Sequence, residues 1–230
     1  MKAVLLAAGV GSRLQPLTLH TPKCLVPING KPLLSYWLDT LDSLGIEEIL
    51  INLCYLSEQV EAFIAQSPHR QKITLVKEHT LLGTAGTLIA NKRFWENEET
   101  LIIHADNLCL SNLEGLVKAH TYRAPNIDVS LLLFETPTPK SCGIVKMNDS
   151  NTIVEFHEKV NNPPGNLASG ALFLFSPNVY SQYFAHLPVG VPLELSIDVV
   201  PQLIGNMQGW PVDDYYQDIG TITTYQQAND

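Results

Sequence analysis

The first half of the chain alternates short apolar runs with polar stretches rich in glycine and proline. Ala3 to Ala8 is an apolar run that ends in Gly9-Val10-Gly11-Ser12, a length that suits a buried strand. Pro32 can open a helix, which runs from Leu33 to Leu44 and stops at Gly45. Glu47–Leu53 then reads as a strand. Ser57–Ala65 reads as a helix with Val60, Phe63 and Ile64 on one face, and Ile73–Val76 as a short strand. Thr84–Phe94 predicts a helix, Thr100–Ala105 a buried strand, and Leu113–Tyr122 another helix. Such β-α alternation predicts an α/β fold with a mostly parallel sheet and helices on both faces.

From Ile127 the rhythm changes to strands: Ile127–Phe134, Gly143–Met147, Thr152–Phe156 and Ala168–Phe175, with Asn148-Asp149-Ser150-Asn151 as a turn. This hairpin predicts a small antiparallel insertion in the sheet. Helices follow over Pro177–Phe184 and Leu193–Ile204. Pro163-Pro164-Gly165-Asn166 reads as a loop within the domain, and residues 1–230 are expected to form a single domain.

Composition narrows the class. Hydrophobic content of 45% with 16% charged residues fits an ordered globular protein. A net charge of −9 argues against nucleic acid as a partner, so any phosphate site rests on a few placed cations. No apolar run spans a bilayer, which predicts no membrane partner. Lys2 followed by AVLLAAG has the look of a signal peptide, but the apolar stretch is short and runs at once into a charged loop. The four cysteines (Cys24, Cys54, Cys109, Cys142) form no C-x-x-C pair. They read as reduced thiols of a cytoplasmic protein. No internal repeat occurs, and a hexapeptide-repeat extension is not expected.

The candidate chemistry begins in the opening stretch. A glycine loop after a strand, followed by Arg13 and Lys23, suits a polyphosphate. Glycines let backbone N–H groups approach an anion, Arg grips phosphate oxygens as a fork, and Lys acts as a movable point charge. A dinucleotide-binding turn fits less well, because Leu14 stands where the third glycine belongs and Asn29-Gly30-Lys31 where an acidic residue belongs. Walker A fails for want of Gly-Lys-Ser/Thr.

Gly9-x-Gly11-Ser12-Arg13-Leu14-x-Pro16-Leu17-Thr18-x-x-x-Pro22-Lys23 resembles the signature of the sugar-1-phosphate nucleotidyltransferases (nucleotide-sugar pyrophosphorylases). Three further blocks resemble the same family. They are His104-Ala105-Asp106, Glu158-Lys159 with Ser169-Gly170, and Tyr216-Gln217-Asp218-Ile219-Gly220-Thr221. Ala105, Ala168, Tyr216 and Ile222 stand where that family carries Gly, Asn, Trp and Pro.

The resemblance implies the nucleotide-diphospho-sugar transferase fold, a three-layer Rossmann-like domain. It implies that Leu6, Ala8, Gly9, Gly11, Ser12, Arg13, Lys23, Leu82, Gly83, Thr84, Gly86 and Asp106 bind an NTP. Gly143, Glu158, Lys159, Ser169 and Gly170 are implied to bind the sugar 1-phosphate, Gly143 by letting the sugar lie close to the backbone. Asp106 and Asp218 are implied to hold Mg2+. The reaction implied is NTP plus sugar 1-phosphate giving NDP-sugar plus pyrophosphate, with Arg13, Lys23, Asp106 and Lys159 carrying it.

On the residues alone, Asp106 and Asp218 read equally as caps of turns or helices, and Glu155–Lys159 as a solvated charge cluster. His104 reads as a strand-end hydrogen-bonding residue. The run Leu82-Gly83-Thr84-Ala85-Gly86 lacks the Gln of pyrimidine-reading members and resembles the guanylyltransferases. Its glycines are expected to leave room for a purine. That predicts GTP with mannose 1-phosphate or a heptose 1-phosphate. The alternatives are a cytidylyl-, uridylyl- or thymidylyltransferase acting on another phosphate acceptor, or a non-catalytic nucleotide-sugar-binding subunit. Oligomeric state is left open.

Overall fold

The structure is a computed structural model that describes residues 1–230. In chain order the elements are β1 (Lys2–Leu6), β2 (Pro27–Ile28), β3 (Lys31–Pro32), α1 (Leu33–Ser43), β4 (Ile49–Leu53), α2 (Ser57–Ala65), β5 (Ile73–Lys77), α3 (Gly83–Ala90), α4 (Lys92–Trp95) and β6 (Thr100–His104). There follow β7 (Asn107–Cys109), α5 (Glu114–Thr121), β8 (Val129–Glu135), β9 (Gly143–Met147), β10 (Ile153–Glu158), β11 (Leu167–Phe175), α6 (Val200–Leu203), β12 (Met207–Pro211), β13 (Tyr216–Asp218) and α7 (Ile222–Gln227). The class is α/β, with a mixed, mostly parallel central sheet flanked by helices, as the alternation predicts.

The chain forms two compact units. One comprises Met1–Leu81, Ile103–Asn112 and Asp214–Asp230, the other Leu82–Ile102 and Leu113–Asp213. In the first, β1, β4 and β5 are parallel neighbours, in register from Ala3↔Ile49 to Leu6↔Asn52 and from Ile49↔Ile73 to Leu53↔Lys77. All five residues of β4 are buried, which is why it reads as an unbroken apolar run. Helix α1 buries Leu33, Leu34, Trp37, Leu38 and Leu41, a stripe spaced three and four apart. The segment after Leu19 also folds back as the small ribbon β2–β3.

In the second unit β8, β9, β10 and β11 form the antiparallel part. The β9–β10 turn falls at Asn148–Asn151. The Asn148 Oδ1 accepts the N–H groups of Ser150 and Thr152, each at 3.0 Å. The expected helix over 84–94 breaks at Asn91, leaving α3 and α4. Trp95 turns in to meet Phe175, Tyr180 and Phe184, with ring centroids 5.2–5.7 Å away. The expected helices over 177–184 and 193–204 are present, wound as wide π-helical turns at Tyr180–Phe184 and Leu195–Val199 and as α-helix only at Val200–Leu203. Strand β12, which the sequence reading does not predict, pairs in parallel with β8.

Candidate active site

In the first unit, β1 ends at Leu6 and the chain leaves the sheet as Ala7-Ala8-Gly9-Val10-Gly11-Ser12. This is the carboxyl end of a parallel strand, where α/β sheets collect ligands. Ala8 is buried, whereas Gly9, Val10, Ser12 and Arg13 are exposed. Gly11 has φ 68°, and a Cβ there would lie 2.9 Å from Thr18 Cγ2 and 3.2 Å from Lys23 Cβ. Only glycine lets the loop pass over the Lys23 stem in this conformation. The Gly11 carbonyl accepts from Thr18 Oγ1 at 2.7 Å and from the Leu14 N–H at 2.9 Å. Leu14 is rooted in a buried cluster with Val26, Ile28, Leu33, Leu108 and Ile219. Its neighbour Arg13 is thereby fixed at the backbone and exposed at the side chain.

Lys23 is buried, and its Nζ is ion-paired with Asp106 Oδ2. Removal from water pushes the Asp106 carboxyl up. The charges of Lys23 and His104, with the hydrogen bond from Lys23, outweigh this and hold it below the usual carboxylate range. The adjoining Cys24 is buried, and burial pushes its thiol up to about 12, so it is not a nucleophile near neutral pH.

Asp106 lies just past β6, one residue beyond Ala105, whose N–H donates to Leu6 C=O at 3.1 Å. The next residue, Asn107, pairs with Asp218 across the β7–β13 ribbon, and the Ile219 N–H donates to Asp106 C=O at 3.0 Å. Facing Cα atoms in such a ribbon lie about 5 Å apart. Register therefore gathers two aspartates far apart in sequence at one edge. Trp37 Nε1 donates to Asn107 C=O at 2.8 Å and pins the ribbon to α1. Gly220 packs under Asp218, where a Cβ would come within 2.5 Å of Oδ2. Thr221 caps α7, its hydroxyl accepting the Thr224 N–H at 3.2 Å.

The second unit holds the remaining candidates in two places. Glu158 ends β10 and Lys159 follows it, with Lys159 Nζ 3.0 Å from Glu158 Oε1. Lys159 takes φ 48°, and its N–H donates to Cys142 C=O at 3.1 Å. Gly143 pairs with Glu158, and a Cβ on it would lie 2.5 Å from Phe156 Cζ and 2.8 Å from Glu158 Oε2. A Cβ on Gly143 would thus meet the ends of the Phe156 and Glu158 side chains, the latter itself a sugar-site candidate. Ser169 and Gly170 lie where the β11–β8 register shifts. There Ser169 Oγ accepts the Ala171 N–H at 3.2 Å.

The Leu82–Gly86 run corrects one expectation. Gly83, at φ 71°, would place a Cβ in contact with Leu193 O, and one on Gly86 would lie 2.9 Å from Val191 O. Leu193 C=O accepts the N–H groups of Ala85 and Gly86 at 2.9 and 3.2 Å. Thr84 Oγ1 donates to Glu194 Oε2 at 2.8 Å and accepts the Leu195 N–H at 2.7 Å. Residues 191–195 therefore fill the space beside both glycines. The glycines serve chain packing, so they are not evidence of room for a purine. Sequence reasoning missed this segment, and it also missed Asn52, whose polarity inside the apolar run Ile49–Leu53 was the available signal.

Residues 2–230 match the family model described as "Nucleotidyl transferase". The chain belongs to this nucleotidyl transferase family. Among curated nucleotidyl transferases it is 29% identical over its whole length to the glucose-1-phosphate thymidylyltransferase of Streptomyces griseus, covering 65% of that protein. It is 30% identical over 95% of its length to the mannose-1-phosphate guanylyltransferase of Mycobacterium tuberculosis, covering 61% of that protein. The chain thus spans somewhat less than two thirds of these relatives. It also shares its fold with a Bacillus anthracis protein described as a "Putative Glucose-1-Phosphate Thymidylyltransferase". The TM-score is 0.88 and the identity 24%, over 100% of this chain and 94% of that one. No helix is long and apolar enough to cross a membrane.

Proposed function

We propose that this chain transfers a nucleotidyl group from an NTP to a sugar 1-phosphate, releasing pyrophosphate and forming an NDP-sugar. The observation that carries this reading is the Lys23–Asp106 pair. It lies in the same unit as an exposed glycine loop and has Asp218 brought alongside by register. Cations and carboxylates at the carboxyl end of parallel strands suit a polyphosphate and its counter-ion. The family match supports it.

A phosphate monoester is already a nucleophile near neutral pH. One of its oxygens attacks the α-phosphorus of the NTP, and the bond from that phosphorus to the pyrophosphate oxygen breaks. No general base is required, so catalysis is positioning and charge neutralisation. In this reading Arg13 holds the leaving pyrophosphate, Lys23 the NTP phosphates, and Lys159 the incoming phosphate.

Two carboxylates are a donor set that fits Mg2+, which takes one or two protein carboxylates and completes its shell with water and phosphate oxygens. Asp106 and Asp218 would hold it. When bound, the ion supplies charge neutralisation on the phosphates.

As to the base, we place thymidylyl or uridylyl transfer ahead of guanylyl transfer. The similarity of the whole of this chain to part of the Streptomyces griseus thymidylyltransferase supports this order, and the packed surroundings of Gly83 and Gly86 remove the steric argument for guanine. Guanine keeps the support of the Mycobacterium tuberculosis relative and of the missing Gln.

The test is pyrophosphate release with each of the four common NTPs, and dTTP, against glucose, mannose and heptose 1-phosphates. Turnover with dTTP or UTP at least tenfold above GTP is the expected result. A preference of that size for GTP would restore the guanine reading. No turnover with any pair would overturn the reaction class.

A further inference from the structure

Strands β1, β4 and β5 end side by side, and a buried polar relay crosses their carboxyl ends. When β1 leaves the sheet, the Ala7 N–H loses its ladder partner. Asn52 Oδ1 takes that N–H at 2.8 Å. Asn52 Nδ2 donates in turn to Glu78 Oε1 at 2.9 Å, and the Glu78 N–H donates to Leu53 C=O at 2.7 Å. Asn52 is 3% and Glu78 8% exposed, in a stretch where every other residue of β4 is aliphatic.

The chemistry of the three groups sets a direction. A backbone N–H only donates, so the amide oxygen of Asn52 must face Ala7 and its amide nitrogen Glu78. Ala7 is the last residue before the Ala8-Gly9 loop. A buried amide with its donor and acceptor both committed cannot rotate without leaving polar groups unpaired.

We propose that Asn52 and Glu78 are positioning residues that fix where the Ala7–Gly9 backbone leaves β1, and so hold the loop in its NTP-binding conformation. The inference rests on the nucleotidyl-transfer reading for what the loop binds, and on the hydrogen bonds alone for the relay itself. Three substitutions separate its parts. Asn52→Leu removes both bonds at similar volume. Asn52→Asp keeps an acceptor for Ala7 but sets two carboxylates against each other. Asn52→Asp combined with Glu78→Gln restores complementarity, because the Gln amide donates to the new carboxylate.

Two readouts are taken on the full chain: amide hydrogen exchange at Ala7 by NMR, and the KM for each substrate by pyrophosphate release. Asn52→Leu is expected to speed Ala7 exchange tenfold or more relative to the Leu5 amide. It should raise the KM for the NTP by about tenfold or more, the scale of one buried donor left unpaired. The KM for the sugar 1-phosphate is expected to stay within twofold. Asn52→Asp should behave likewise, and the double variant should return to within threefold of the parent.

Unchanged Ala7 exchange in Asn52→Leu overturns the relay. Equal rises in both KM values, or a double variant no better than Asn52→Asp, reduce the pair to a structural role and overturn the positioning claim. A parent protein without turnover overturns the reaction class, and with it the loop's role. The Ala7 exchange still decides the relay.

Discussion

Replacing Asp106 with Asn separates what the Lys23–Asp106 pair does for the fold from what it does for phosphates. Lys23 keeps 9% of its side-chain surface in water and Asp106 keeps 35%. Breaking a fully buried ion pair costs about 3–5 kcal/mol, because the remaining charge is left uncompensated. Asp106 is wet enough to reduce that figure. Water reaches the gap, so the expected cost of Asp106→Asn is about 2 kcal/mol, or roughly 4–8 °C in melting temperature for a chain of this size. Converting Lys23 to Met at the same time removes the stranded ammonium. The double variant should recover most of the lost stability. Activity should not recover. Each single variant is expected to lose about 10²-fold or more in turnover, the scale of one electrostatic stabiliser removed, and the double variant no less. Urea melts and pyrophosphate release at saturating Mg2+ read the two quantities on the same preparations. A double variant as unstable as Asp106→Asn would show that charge pairing is not what the contact contributes. Turnover within threefold of the parent in Asp106→Asn would remove Asp106 from the chemistry.

Three further outcomes follow from the geometry. Gly83→Ala, at φ 71° and against Leu193 O, should cost at least about 2 kcal/mol in urea melts. Gly205→Ala, at φ 88° with open space around it, should cost only the backbone share of about 1 kcal/mol, and equal costs would discount the Leu193 contact. Lys159→Ala should raise the KM for the sugar 1-phosphate about tenfold to a hundredfold while sparing that for the NTP, and equal effects on both would misplace Lys159. His120 is buried, with Nδ1 2.7 Å from Ser130 Oγ, and burial aided by the Arg123 charge pushes it down to about 3. Its folded pKa is below the unfolded one, so its contribution is complete above pH ~6.5 and is lost as pH falls toward 3, at up to about 1.4 kcal/mol per pH unit. His120→Gln should flatten the stability difference between pH 7 and pH 5, and an unchanged slope would mean that His120 does not titrate this way.

Period and punctuation made much of the fold legible. Ser57–Ala65 and Gly143–Met147 fall where the pattern puts them, because a helical stripe and a glycine-led strand leave plain local marks. Strand β12 was not legible, since Met207–Pro211 contains glycine and proline and is held straight by its parallel pairing with β8. The helices over 177–184 and 193–204 were legible as helices, but the wide π winding at Tyr180–Phe184 and Leu195–Val199 was not. Only Phe184, Leu195 and Val199 among their residues are buried, and helical propensity does not set the width of a turn. In the site, the loop cations and Asp106 could be placed from strand ends alone. The approach of Asp218 depends on the Asn107 register, and the role of Gly83 on a segment over a hundred residues later, neither of which leaves a local trace.

The unit that carries Lys23, Asp106 and Asp218 is assembled from three separate stretches of chain. During synthesis on a ribosome the third stretch, Asp214–Asp230, is made only after about a hundred residues of the other unit. At ordinary elongation rates that is a delay of about 5–20 s. For that interval Leu14, Val26, Ile28, Leu33 and Leu108 wait without Ile219, which completes their buried cluster. A nascent chain with apolar side chains open to neighbours is a client for chaperones, so the ribbon that brings the second aspartate into place also ends the period of greatest exposure to misassembly.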